Sequence, residues 1–340
     1  MTIAFFDVKE NWELKEIKKI FPKNKLVIYK ETLQEVLDKG VDLSKVKCIS
    51  VFIYSKCNKK NLDKLKDIEL ISTRSTGYDH ISLDECKKRK IKVTNVPSYG
   101  EHTVAEFNMA LLLTITRKIP QSIDRTRSGL FDFTGLRGVD LFGKTVGIVG
   151  FGKIGRSFAL MCKSFGMKVI IYDISRKFAT EKAKEMGVEY ATLSRIYKES
   201  DIISLHLPLT PKTKKIINKK SLDQMKHGVI LLNTARGDLV ESKSLLQALK
   251  TGKVSFAGLD VIQGETLVKD EMELVDKEDR LRSKNYELLL HDHILMNHPN
   301  VILTPHNAFN SIDALKRILT TSNNNILNFT KKKLNENIIV

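Results

Sequence analysis

Three side chains, each shortly after an apolar run, carry groups suited to a single reaction. They are Arg236 in "GVILLNTARGDLV", Glu265 in "GLDVIQGE" and His306 in "LTPHNAF". A half-buried guanidinium cannot shed its charge, so it needs an anion, and its planar fork matches a carboxylate. A histidine can hand a proton to a reacting oxygen and take it back, help that is typically worth about 10²–10⁴ in rate. A carboxylate beside the imidazole favours its protonated form. The trio therefore suits reversible reduction of a carbonyl that stands next to a carboxylate, provided that something supplies hydride.

A hydride carrier is written into "VGIVGFGKIGRSFALMCKSFGMKVIIYD". Gly150, Gly152 and Gly155 form G-x-G-x-x-G directly after an apolar run and at the start of a helical pattern. In such a turn the first glycine allows the tight bend, the second lets backbone approach a pyrophosphate, and the third lets helix pack on strand. Lys153 and Ile154 lie inside the same loop. Asp173 closes the next apolar run, where its carboxylate can accept from an adenosine ribose and would repel a 2′-phosphate. NAD is expected rather than NADP. Arg176 is expected to be solvated.

Strands and helices must place these groups, and the sequence alternates the two almost throughout. Strands are predicted at 3–6, 26–29, 48–53, 69–72 and 91–94, then at 145–150, 168–173, 201–207, 228–233, 254–260 and 301–304. In the second set, helices are predicted over 153–165, 176–187, 213–226 and 241–251, with another at 311–329. Such alternation argues for parallel sheets covered by helices. Sheets of this kind present ligands at the carboxyl ends of their strands, which is where Arg236, Glu265 and His306 fall. Ser82 with Glu85 and Thr103 with Glu106 read as capping boxes. The helix at 101–118 is apolar on most sides and must be buried, between domains or between subunits. The stretch 266–299 is charged and receives no assignment; its His291, His293 and His298 are expected in a surface loop rather than at a metal. His80 and His102 are expected as surface or cap residues.

The chain has 340 residues, 42% hydrophobic composition and net charge +17. Its lysines are spread along the whole length, which favours a solvated surface over a nucleic-acid footprint. No apolar run approaches the roughly 18 residues of a membrane span. Cys48, Cys57, Cys86 and Cys162 are scattered, as suits a reducing compartment, and the cytoplasm is the expected location.

At "GIVGFGKIGR", "DIISLHLPLT", "LLNTARGDLV", "AGLDV" and "TPHNAF" the chain resembles the D-isomer-specific 2-hydroxyacid dehydrogenases, over nearly all its length. The resemblance implies an α/β fold of two doubly wound parallel-sheet domains with the active site in the cleft. A flavodoxin-like substrate domain would take 1–100 plus 307–340, and a Rossmann NAD-binding domain 101–306. It implies Arg236 as substrate binder, His306 as acid–base and Glu265 as its support. It places Thr234, Ala235 and Asp260 near the nicotinamide, His206 and Pro208 along the cofactor edge, and Thr213 among the cofactor contacts. Ser75, Thr76, Gly77 and Tyr78, in the "STGYD" loop, and Tyr99 would meet the substrate. Tyr99 and "NAF" after His306 lean toward the D-lactate branch, with pyruvate and D-lactate as the pair and a homodimer built through the 101–118 helix. The rival reading is an NAD(H)-sensing regulator like the corepressors that share this fold.

Overall fold

The computed structural model describes residues 1–22, 24–269, 283–333 and 336–340. Residues 270–282, part of the unassigned charged stretch, lie outside the described residues. The chain divides into two compact units, Met1–Tyr99 with Asn310–Val340, and Gly100–Phe309.

Unit 1 carries five strands: β1 (Thr2–Phe5), β2 (Lys25–Ile28), β3 (Cys48–Val51), β4 (Leu70–Thr73) and β5 (Lys92–Thr94). They run in the order β2-β1-β3-β4-β5, and every ladder is parallel. All four residues of both β3 and β4 are buried, as expected of strands covered on both faces. Arg74, which the sequence reading passed over, leaves β4 and is itself only 3% exposed. Its guanidinium donates to the carbonyls of Phe6 and Asp7 at 2.6 and 3.1 Å and to Ser50 Oγ at 3.0 Å. A buried charge bonded this way fixes the end of β4, where the Ser75–Tyr78 loop begins.

Unit 2 adds β6 (Thr145–Val149), β7 (Lys168–Tyr172), β8 (Glu189–Tyr190), β9 (Ile202–Leu205), β10 (Val229–Asn233), β11 (Val254–Leu259) and β12 (Val301–Leu303). Their order is β12-β11-β10-β9-β6-β7-β8, again with parallel ladders. Strand order reverses between β6 and β9, the crevice where such sheets take their ligands. The whole of β10 is buried, and each such aliphatic side chain contributes about 1.5–3 kcal/mol over exposure.

Several expectations need correction. Thr103 does not cap: the helix runs Glu101–Thr116 from Gly100, because the Val104 amide already closes the first turn on the Gly100 carbonyl. Ser82 precedes helix Leu83–Arg89 but makes no side-chain cap bond. The helix expected over 213–226 is confined to Lys219–Gln224, since Asn218 and Ser221 form the capping box and Ile217 bridges to Val240. β8 is too short to show as an apolar run, and helix Ile119–Arg127, with a proline in its first turn, was not anticipated. The Glu101–Thr116 helix buries Ala105, Met109, Leu112 and Ile115 within unit 2's own core. Exposed apolar surface lies further on, at Leu130, Phe131, Phe133, Val139 and Phe142. Among the described residues no helix is long and apolar enough to cross a membrane.

Candidate active site

The glycine loop lies between β6 and helix Lys153–Ser164, with Gly150 at φ +100°. A Cβ there would meet the His206 carbonyl oxygen at 2.4 Å, and one on Gly155 the Gly150 oxygen at 2.2 Å. Sterics within the fold therefore explain both glycines. Gly152 differs. Its φ is −66°, and a Cβ would meet nothing within 4 Å. Neither backbone strain nor packing demands glycine at 152, so its bareness leaves room at a helix N-terminus that has no side-chain cap, as a pyrophosphate requires. Asp173 follows β7 as expected, and its carboxylate is engaged by the glycine loop itself. It accepts from the amides of Phe151, inside the loop, at 2.8 Å and of Ser175 at 2.9 Å. Lys153 and Ile154 sit in the helix's first turn, and Lys153 reaches Glu101 at 3.3 Å. Arg176 is exposed, as expected, and its guanidinium lies over the Tyr190 ring at 5.8 Å. Thr213 uses its hydroxyl on the Pro208 carbonyl at 2.7 Å and accepts from Thr210, closing the 208–213 loop on itself.

β10 delivers Arg236 through a turn built by Asn233. The buried Asn233 side chain accepts from the Ala235 amide at 3.1 Å and donates to the Arg236 carbonyl at 2.9 Å. Thr234 is buried beneath the turn, while Ala235 and Arg236 are half-buried. Gly237 is required by space: a Cβ would run into the Ile262 carbonyl oxygen and sit 2.9 Å from the Gln263 nitrogen. The turn bearing Arg236 thus packs backbone to backbone on the segment that leads to Glu265. Gly237→Ala must force the two apart, at a cost on the order of 1–3 kcal/mol. Denaturant unfolding should show that loss together with reduced activity; an unchanged midpoint would contradict the packing.

Glu265 opens helix Glu265–Lys269. Its approach is held by Asp292, a residue of helix Ser283–Met296 that is completely buried. One Asp292 oxygen accepts from the Gly264 amide at 2.9 Å and the other from Ser242 Oγ at 2.8 Å, while Ser242's own amide donates to Gln263. Burial pushes the Asp292 carboxyl up from its ordinary value. His291 and His293, expected in a loop, also lie on this helix, and His298 lies just beyond it. Among the described residues no group of three His, Cys, Asp or Glu side chains is placed to hold a metal.

His306 sits after β12 at φ +54°, a left-handed conformation that a non-glycine residue adopts only when its surroundings hold it there. Asp260, expected at the nicotinamide, supplies that hold. Its carboxylate accepts from Thr304 Oγ1 at 2.5 Å and from the Asn307 and Ala308 amides at 2.8 Å each, and its carbonyl accepts the His306 amide. Burial raises its pKa, against these donors. His306 Nδ1 lies 2.9 Å from Glu265 Oε1 and 3.2 Å from Oε2. An ionised carboxylate only accepts, so Nδ1 carries hydrogen and donates, and Nε2 is the nitrogen that can exchange a proton with a ligand. His306 and Glu265, forty-one positions apart, are thereby brought into one dyad.

In unit 1 the Ser75–Tyr78 loop is laced by its own side chains. Ser75 Oγ donates to the Gly77 carbonyl at 2.6 Å, Thr76 Oγ1 donates to the Val96 carbonyl at 2.7 Å, and Asn95 donates to the Thr76 carbonyl. With both hydroxyls and the loop's carbonyls engaged, it is the loop's backbone amides that are left to meet a ligand. His80 Nε2 bonds Thr73 Oγ1 at 3.0 Å, a structural role, and Tyr78 is exposed. Tyr99 ends the unit and accepts from Arg317 on its carbonyl at 2.6 Å. Sequence reading missed Asn233, Asp292 and Arg74. Asp292 and Arg74 are marked only by buried bonds to distant groups, which no local spacing announces. Asn233 differs, since its two bonds are to the Ala235 amide and the Arg236 carbonyl just ahead of it.

The family described as "D-isomer specific 2-hydroxyacid dehydrogenase, NAD binding domain" matches residues 109–308. An aromatic 2-oxoacid reductase of Clostridium sporogenes is 38% identical over 289 residues, covering 84% of this chain and 83% of that one. D-lactate dehydrogenase of Escherichia coli is 34% identical over 295 residues, 86% of each. The crystal structure of Aquifex aeolicus D-lactate dehydrogenase complexed with NAD and lactic acid superposes with a TM-score of 0.86, at 34% identity and covering 99% of both chains.

Proposed function

Since the chain belongs to the D-isomer-specific 2-hydroxyacid dehydrogenases and binds NAD, we propose that it reduces pyruvate to D-lactate reversibly, with His306 as general acid and base. The observation that carries this reading is the His306–Glu265 contact of 2.9 Å, on a loop clamped by Asp260, in the same unit as the glycine loop. NADH, when bound, supplies the hydride. Arg236 pairs with the substrate carboxylate. His306 Nε2 gives its proton to the carbonyl oxygen as that oxygen gains charge, and takes it back in oxidation. Glu265 accepts from Nδ1–H throughout, which orients the ring and offsets the imidazolium charge.

The cofactor contacts proposed are Gly150, Gly152, Lys153, Ile154, Gly155, Asp173, His206, Pro208, Thr213, Thr234 and Ala235, while Asp260 acts chiefly by holding the His306 loop. On family resemblance, Ser75, Thr76, Gly77, Tyr78 and Tyr99 are proposed substrate contacts. A homodimer is also proposed. Phe131 and Phe133 are 98% and 87% exposed, within an apolar stretch that a second copy would cover. The four cysteines are all buried and unbridged, consistent with a cytosolic chain.

A second reading, an aromatic 2-keto acid as preferred substrate, is favoured by the 38% identity to the Clostridium reductase. NADH oxidation against pyruvate, phenylpyruvate and branched-chain keto acids separates the two. Pyruvate should give the highest kcat/KM and a D product. Preference for phenylpyruvate would select the aromatic reading. Absence of turnover with every keto acid, NADH binding being intact, would leave an NAD(H)-sensing regulator of the same fold.

A further inference from the structure

Asn108 is an amide on a helix of otherwise mostly apolar residues, fully buried, and the reaction makes no use of it. Its Nδ2 donates to Ser204 Oγ at 2.8 Å, and its Oδ1 accepts from Thr234 Oγ1 at a long 3.5 Å. Ser204, also fully buried, lies 2.9 Å from His206 Nε2. The His206 amide is bonded to Val149, and its carbonyl packs on Gly150, so this ring stands beside the dinucleotide loop. A hydroxyl has a single hydrogen. With Oγ already accepting from Asn108, a second donor arriving from His206 would leave that hydrogen without an acceptor among the described residues, a costly arrangement in a dry interior. Ser204 therefore donates to Nε2. The ring's burial, which pushes its pKa down to about 3, agrees with a neutral imidazole.

We infer that Asn108 is a positioning residue of the dinucleotide site: through Ser204 it holds His206 in the tautomer with hydrogen on Nδ1. The helix thereby sets the donor that His206 presents beside the glycine loop, at the strand-order reversal between β6 and β9. It also ties the end of β10, through Thr234, to the end of β9. The inference rests on the NAD reading for its consequence in binding, and on hydrogen-bond chemistry alone for the tautomer.

The test reads the tautomer directly in the cofactor-free protein, by long-range proton–nitrogen correlation on nitrogen-15-labelled chain. The His206 signals are identified by their loss in His206→Gln. Wild type should show Nδ1–H and a bare Nε2; a protonated Nε2 in wild type overturns the inference whatever any variant does. In Asn108→Asp the new carboxylate only accepts, so it draws the Ser204 hydrogen and the His206 tautomer should flip. NADH should then bind about tenfold more weakly by fluorescence titration. A drop in Tm with an unmoved tautomer would reduce Asn108 to a packing residue and overturn the proposal. Wild type that shows the expected tautomer but fails to bind NADH would count against the cofactor reading instead.

Discussion

His306→Asn should lower kcat for keto-acid reduction by about 10²–10⁴ and leave NADH affinity close to unchanged. The asparagine keeps much of the ring's size and polarity but cannot deliver a proton at neutral pH. Stopped-flow measurement of hydride transfer, beside fluorescence titration of NADH, separates chemistry from binding. A loss below tenfold would remove His306 from the role of acid. Glu265→Gln tests the orientation. A carboxylate can only accept, which holds hydrogen on Nδ1, whereas an amide can also donate there and no longer fixes that tautomer. The variant should lower kcat while NADH affinity holds. A kcat equal to that of wild type would mean that Glu265 does not orient the ring. Because the two residues form one unit, the double variant should be little worse than His306→Asn alone.

Arg236→Lys should raise KM and lower kcat together, for a combined loss of about 10–150-fold in kcat/KM. That range corresponds to one charge-assisted bond of about 1.5–3 kcal/mol. The Asn233 brace on either side of Arg236, and the backbone contact at Gly237, keep the turn in place when the side chain changes. The defect should therefore track the fork rather than the fold, and Tm should hold. Lysine retains the charge but offers a point where a carboxylate wants two parallel donors. Unchanged kinetics with pyruvate would remove the guanidinium from substrate binding.

Apolar periodicity carried far in this chain because buried parallel strands are short continuous runs. The strands expected from 3–6 to 301–304 all appear, most of them trimmed by a residue or two at their ends. The Gly150–Gly155 spacing and Asp173 were readable for a similar reason, since phosphate binding imposes its geometry on a single strand, turn and helix. Capping was less legible. Ser82 and Thr103 have the right partners three residues on, yet the place where a helix starts is settled by which amide closes the first turn, and at 101 that is set by Gly100.

Residue types and order alone determined the fold class and the family, and singled out the glycine loop, Arg236, Glu265 and His306 as candidates. Tertiary structure decided what holds them. Asp260 turned out to brace the His306 loop, Asp292 to hold the residue before Glu265, and Asn108 to reach Ser204 from ninety-six positions away. Strand and helix patterns follow from local backbone geometry and are therefore visible in neighbouring residues. A buried hydrogen bond depends on which distant groups are desolvated against one another, and only the packed chain specifies that.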